Sequence, residues 1–302
     1  MNSINNMIHI GFSKTGSSFL KHWFNAHSEL HYTNKEALGG FESTTAIYDI
    51  TKSDKLESLK YFVTSDSRMH CWRILDTDDA DNWFNIKDTY EHQQKVSHIA
   101  KSLFGEAKIL IVTRGFESVL KSFYSSYVKR GGVYNCNEML RAYHSDYLLP
   151  AYDYDTIIRL YMQNFGEKNV LVLPYELLKD DLESFLNEIE SFLKISPTAN
   201  IPPSVNVSFK ADELYWCRQI SRFIKFIVKP LGDKFSKKIV NKYVFYLSNK
   251  KLNFMIRFLK KFSNRTESLD IPESFLRTFR NKGSILKDIP YYEKYYEYYH
   301  IK

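Results

Sequence analysis

The chain is poor in cysteine: Cys71, Cys136 and Cys217 are the only three in 302 residues, far apart and without a CxxC pair. That excludes a disulfide framework and a zinc knuckle. No run of about 18 apolar residues occurs, so no membrane-spanning helix is expected. The opening, Met-Asn-Ser-Ile-Asn-Asn-Met-Ile-His-Ile-Gly-Phe, has neither a basic nor an apolar leader region, so a secretory signal is not expected. A reducing cytoplasm is the expected compartment. Internal repeats and long low-complexity tracts are also missing. A hydrophobic fraction of 44% and a charged fraction of 25% argue against a disordered, collagen-like or coiled-coil chain.

Acidic residues are scarce in one place. Between Arg218 and Arg265 stand 14 lysines and arginines against one acid, Asp233, a net +13. The remainder holds 28 basic and 34 acidic residues, a net −6, within an overall +7. The protein reads as a mildly acidic globule carrying one strongly basic segment. Its length fits one α/β domain: a core over residues 1–195 and a helical, basic extension over 196–302.

Met7–Phe12 predicts a strand, then a polar loop, then a helix over Ser17–Ala26. Tyr61–Thr64, Lys108–Thr113 and Asn169–Leu173 predict further strands. Helices are predicted over Glu91–Phe104, Phe116–Val128, Ala151–Phe165 and Asp181–Leu193. Strands alternating with helices imply βαβ units and a central parallel sheet flanked by helices, of the P-loop nucleoside-triphosphate-hydrolase-like kind. A proline-rich linker follows Ile195, and the chain beyond it reads as helical to about Phe262.

The first loop reads Gly11-Phe-Ser-Lys14-Thr15-Gly16-Ser17-Ser18. A Gly/Ser/Thr loop between strand and helix converges backbone N–H groups on an anion, helped by the helix dipole. The Gly-x4-Gly spacing starts a P-loop, but Ser17 stands where the P-loop lysine belongs, and the lysine is Lys14 instead. The loop suits a 5′-phosphate better than an ATP triphosphate. The bland alternative is an ordinary turn. The second stretch ends a buried strand in Arg114, with Ser122 eight residues on, about two helical turns in. Such a pair could grip one phosphate, because the guanidinium fork makes bidentate bonds to phosphate oxygens. The alternative is a surface arginine with a serine in the following helix.

Together these elements resemble the 3′-phosphoadenosine 5′-phosphosulfate (PAPS)-dependent sulfotransferase family, in the manner of a bacterial or carbohydrate-type member. Lys14-Thr15-Gly16-Ser17-Ser18 matches that family's first signature, and Arg114 with Ser122 its second. The family commonly has Asp/Asn-Pro after the arginine, where this chain has Gly115-Phe116. Leu173-Pro-Tyr175-Glu176-Leu-Leu, with its following helix, resembles the family's Tyr-Glu-Asp-Leu segment, whose tyrosine lies near the adenine. Arg280-Asn-Lys282-Gly283 resembles an Arg-Lys-Gly element that closes over the 3′-phosphate; a helix end at Gly283 is the alternative.

The resemblance implies sulfuryl transfer from PAPS to a hydroxyl or amine, with adenosine 3′,5′-bisphosphate (PAP) as product and no metal. Lys14 would stabilise the leaving phosphate oxygen, aided by Thr15, Gly16, Ser17 and Ser18. Arg114 and Ser122 would hold the 3′-phosphate. A general base is expected near the end of the Tyr61–Thr64 strand, where Asp66 is favoured over His70; a helix cap and a surface histidine are the respective alternatives.

The acceptor is expected to be a carbohydrate, a glycolipid or another hydroxyl or amine. Basic amphipathic helices over 218–265 fit an anionic membrane surface, an acidic polymer, or plain core packing with solvated charges. No nucleic-acid module is found. The six tyrosines of Tyr291–Tyr299 would line an acceptor site or pack the C-terminal helix onto the domain. A P-loop kinase or phosphotransferase, and a non-catalytic membrane- or polyanion-binding protein, are the competing functions.

Overall fold

The computed structural model describes residues 4–12, 14–32, 57–66, 69–71, 89–198, 200–202, 209–249, 251, 253–261, 263 and 265–301. The elements that position the site begin with β1 (Asn5–Ile10), α1 (Ser17–Ala26), β2 (Leu30–His31) and β3 (Tyr61–Asp66). Next come α2 (Thr89–Phe104), β4 (Lys108–Thr113), α3 (Phe116–Lys129) and α4 (Cys136–Tyr143). A π-helical turn, His144–Leu148, leads into a short α5 (Leu149–Ala151), followed by α6 (Tyr154–Phe165). Then come β5 (Val170–Pro174), α7 (Tyr175–Asp180) and α8 (Leu182–Leu193). The last helices are α9 (Ala211–Val228), α10 (Asp233–Ser248), α11 (Asn253–Lys260) and α12 (Glu273–Arg277). Two 3₁₀ helices follow, at Ser284–Asp288 and Glu293–Tyr299.

All strand pairs are parallel, in the order β2-β3-β1-β4-β5. Buried on both faces, β1 and β4 carry near-continuous apolar runs: Met7, Ile8 and Ile10 in one, Ile109 to Val112 in the other, all fully buried. The chain lays β2 and β3 on one side of β1, then crosses to lay β4 and β5 on the other. The β1/β4 boundary is therefore the point where the order reverses, and a ligand crevice opens there beyond the carboxyl ends of the strands.

Helix α1 covers the span the sequence predicts and buries Phe19, Leu20, Trp23 and Phe24. Truncating the fully buried Trp23 to alanine would cost about 3–5 kcal/mol. Other expectations shift. β3 runs two residues past Thr64, so Asp66 ends the strand, paired with Ile10, rather than following it. The helix expected from Ala151 breaks at Tyr152, because the Asp153 side chain caps a new start by accepting from the Thr156 N–H at 3.1 Å. Asp181 likewise stands outside α8 as its cap, accepting from Ser184 N–H at 3.0 Å. Helix α4, closed by an Asn135/Glu138 capping box, has no counterpart among the predicted elements.

The basic segment is helical as expected, but its outward face is not simply charged. Val228, Val240, Val244, Leu247 and Ile256 pack inward, while Phe223, Phe226, Phe235, Phe245, Phe254 and Phe258 are exposed.

Candidate active site

Two loops meet at the β1/β4 crevice. In the first, Gly16 caps α1 with φ 83° and Lys14 has φ 75°. Two left-handed residues so close together curl the chain tightly at the start of the helix, where backbone N–H groups are left without intrahelical partners. A side chain at position 16 would be strained by that φ, and its Cβ would meet the Tyr175 ring at 3.3 Å. Thr15 and Ser17 brace the curl: both hydroxyls donate to the Phe12 carbonyl, at 2.9 and 3.1 Å. The first turn of α1 contains no acidic residue, so its N-terminal partial charge is unopposed there.

The second loop begins at Arg114, just past β4. Its Nη1 donates to the Lys14 carbonyl at 2.7 Å and its Nε to Ser118 Oγ at 2.8 Å. Its guanidinium carbon lies 4.5 Å from the centre of the Tyr175 ring, a cation–π contact. Arg114, the Lys14 loop and Tyr175 are thus one assembly, though 100 and 61 residues of chain separate them in sequence. Arginine has five N–H donors, and these two bonds use two of them, leaving three for a ligand. Ser122, buried one turn beyond Ser118, lines with Arg114, Ser118 and Ser125 a cavity of about 540 Å³. Phe209, Leu214, Tyr298 and His300 close its apolar and C-terminal sides.

The backbone that aims Arg114 is held on all sides. Tyr154 Oη donates to the Arg114 carbonyl at 2.7 Å and accepts from its N–H at 3.1 Å. Glu176 Oε1 accepts the Gly115 N–H at 3.0 Å, and its Oε2 accepts from Tyr299 Oη at 2.8 Å. Thr113 donates to Tyr299 at 2.9 Å and so accepts from Tyr292 at 2.7 Å. Burial pushes the hydroxyls of Tyr154, Tyr292 and Tyr299 well above the usual phenol range, which keeps them protonated donors. The tyrosine-rich end of the chain is therefore a buttress behind the arginine turn, with Tyr298 alone among these tyrosines reaching the cavity wall. It also explains Gly115: a Cβ there would meet Tyr298 Cβ at 2.6 Å, so the close approach of the C-terminal segment demands glycine.

The remaining sequence candidates separate. Asp66 sits half-buried at the carboxyl end of β3, in register with Ile10 and so beside the strand that carries the loop. His70 is no surface histidine. It is fully buried, its ring 4.8 Å from Phe12 and 6.1 Å from Tyr152, with Nε2 3.1 Å from Cys71 Sγ. Ser18 is exposed on the first turn of α1. Arg280 and Lys282 do not join the Arg114–Ser122 cavity. Arg280 is exposed, with Glu273 3.9 Å away, and Lys282 pairs with the buried Asp153 carboxylate at 2.5 Å. Gly283 has φ −144°, so it is not a left-handed helix terminus; it packs against Leu286 and Phe116.

Sequence reading assigned no role to Ser118, Tyr154 or Glu176, and gave Tyr299 only acceptor lining or packing. Ser118 was within local reach, since it stands in the first turn of the helix that follows Arg114. The others act across long sequence separations and leave no local pattern. Two of the thiols take no visible part: burial pushes Cys136 and Cys217 up to about 12, which leaves both protonated and inert.

A family model described as "Sulfotransferase domain" matches residues 5–267. No curated protein matches significantly. Among solved structures, a sulfotransferase from Alicyclobacillus acidocaldarius aligns at 14% identity and TM-score 0.46, covering 81% of this chain and 96% of that one. A sulfotransferase domain from the curacin biosynthetic pathway aligns at 11% and 0.43, covering 66% and 77%. Mouse sulfotransferase SULT7A1 complexed with PAP aligns at 13% and 0.37, covering 65% and 60%. On the family match, this chain belongs to the sulfotransferase family and is a transferase of sulfuryl groups.

Proposed function

We propose that this sulfotransferase takes PAPS as its donor and passes the sulfuryl group to a hydroxyl or amine of an acceptor, a carbohydrate or glycolipid. The observation that carries the reading is the junction at Arg114. Its guanidinium bonds to the Lys14 carbonyl, stacks on Tyr175 and shares a cavity with Ser122. Three motifs far apart in sequence thereby meet at one side chain, and the cavity beside it offers arginine and serine donors to a 3′-phosphate, which ATP and AMP lack.

The donor supplies an activated sulfate whose sulfur–oxygen bond to phosphate is the one broken. The chain's part is positioning and charge stabilisation. N–H groups over Thr15–Ser18 and the Lys14 ammonium meet the charge that develops on the leaving phosphate oxygen. Arg114 and Ser122 hold the 3′-phosphate, and Tyr175 offers its ring beside the adenine. As the acceptor oxygen or nitrogen attacks sulfur, Asp66, at the strand end flanking the loop, takes its proton.

Thermal-shift titration with PAP, ATP·Mg and AMP tests the donor. PAP at a hundredfold excess over its Kd adds about 2.7 kcal/mol of apparent stability, a shift of several degrees. PAP is expected to stabilise selectively; equal or better stabilisation by ATP·Mg sinks the reading.

A further inference from the structure

No described residue of the basic segment lines the Arg114–Ser122 cavity, yet the segment carries most of the exposed large apolar side chains of the described residues. Their placement is regular. On α11, Phe254, Arg257, Phe258 and Lys261 follow one another at i, i+3, i+4 and i+7, all exposed, so they form one outward stripe. Phe254 and Phe258 are 74% and 58% exposed. On α10, Phe235, Lys238, Ile239 and Lys242 repeat the same spacing, again all exposed. The last turns of α9 expose Phe223, Phe226 and Ile227 beside Arg222 and Lys229. Helix α9 packs against both α10 and α11, so the three faces belong to one helical cluster.

An ordinary surface helix turns its apolar stripe to the core and its charges to water. These helices do so with Val228, Val240, Val244, Leu247 and Ile256, and then place a second set of apolar residues outward, among lysines. Among the described residues, no carboxylate lies within ion-pair distance of Lys237, Lys238, Lys242, Lys229, Arg257 or Lys261. A second copy of this chain would bring one +13 segment against another. A soluble polyanion would satisfy the charge but leave the phenylalanines in water. A surface that is negative at its edge and apolar just beneath satisfies both at once.

We infer that the outward face of α9, α10 and α11 docks the enzyme on an anionic phospholipid bilayer. The phenylalanines enter the headgroup–acyl boundary, and the lysine and arginine heads stay at the level of the lipid phosphates. Attachment is peripheral: no helix among the described residues is long and apolar enough to cross a membrane. The inference stands apart from the donor assignment, since it uses none of the donor-site residues.

Vesicle co-sedimentation of the full chain tests it, with vesicles of phosphatidylcholine alone and of phosphatidylcholine with roughly one-third phosphatidylglycerol. Two double variants probe different helices: Phe254→Ser/Phe258→Ser and Phe223→Ser/Phe226→Ser. Binding is expected on the anionic vesicles only, weakening with salt, and each double variant is expected to lose at least about tenfold in partitioning with its melting temperature unchanged. Three results would overturn the inference. One is no binding to anionic vesicles, and another is equal binding to neutral ones. The third is full binding by both phenylalanine variants, which marks a purely electrostatic polyanion site. Sedimentation velocity closes the remaining route: a dimer that both variants dissociate would assign the face to self-association instead.

Discussion

The donor crevice and the basic helical cluster invert the usual relation between charge and anion binding. The crevice lies in the part of the chain that is net −6, while the +13 segment lies elsewhere. In the crevice few charges are used and each is placed: Arg114 is fixed through its side chain by Lys14, Ser118 and Tyr175 and through its backbone by Tyr154. On the cluster many charges are present and few are placed. The difference separates two ways of meeting phosphate. A preorganised site needs one cation and several N–H groups held in position, whereas a diffuse surface needs number, and gains affinity in proportion to the cations it brings.

That contrast can be broken in order of expected effect. Lys14→Ala should lower kcat by about a hundredfold or more, the scale for removing one preorganised stabiliser of developing charge. Its melting temperature should be nearly unchanged, and near-normal turnover in a steady-state assay would remove the role assigned to Lys14. Next, Glu176→Ala leaves the buried Gly115 N–H and Tyr299 hydroxyl without their acceptor. At about 1–3 kcal/mol for each orphaned group, denaturant unfolding should show a loss of roughly 2–6 kcal/mol. Donor KM should rise as the Arg114 turn loosens, and Glu176→Gln, which keeps an acceptor, should recover part of both losses. An unchanged KM in Glu176→Ala would make the buttress merely structural.

The third test is of pH. His9 lies on β1 just before the loop, and burial first, with Lys21 second, pulls its pKa down to about 3. The unfolded chain takes up that proton near pH 6.5 and the folded chain does not. The stability from keeping His9 neutral is therefore complete above about pH 6.5 and is lost progressively toward pH 3, at up to about 1.4 kcal/mol per pH unit. His9→Asn should flatten the stability–pH profile by about one proton; an unaltered slope would show that His9 does not stay neutral. The smallest effect belongs to the cluster. Phe254→Ser/Phe258→Ser should change unfolding free energy by no more than about 0.5 kcal/mol per site, because both side chains are more than half exposed. A large destabilisation would mean that this face is part of the core.

How much of this was legible in the sequence divides along the same line. The strand Lys108–Thr113 and helix Ser17–Ala26 announce themselves through unbroken or periodic apolar patterns, as does the strand expected at Met7–Phe12, which runs over Asn5–Ile10, and the sheet follows from them. The Lys14 loop and the Arg114–Ser122 pair were legible because their spacing is local to one loop and one helix. The buttress was not. Glu176, Tyr154 and Tyr299 are ordinary residues until the chain returns across 61, 40 and more than 180 positions to the Arg114 turn. The substitution of Gly115 for the family's usual residue looked like a departure and is a consequence of that return, since Tyr298 occupies the space a side chain would need. The Arg280–Gly283 match pulled the other way: a short basic motif resembled a phosphate clamp, but Lys282 pairs with Asp153, outside the Arg114–Ser122 cavity. The place of the 218–265 phenylalanines stayed open between core and surface, because helical period alone does not say which of two apolar faces meets the core.

The central claim is that Arg114 reads a second phosphate. Calorimetric titration of PAP and AMP into the wild type and into Arg114→Ala tests it as a double-mutant cycle. The expected result is that the wild type prefers PAP by at least about tenfold, and that Arg114→Ala binds PAP and AMP nearly alike, because the arginine and the 3′-phosphate lose the same interaction. An Arg114→Ala variant that keeps the full preference for PAP would contradict the account.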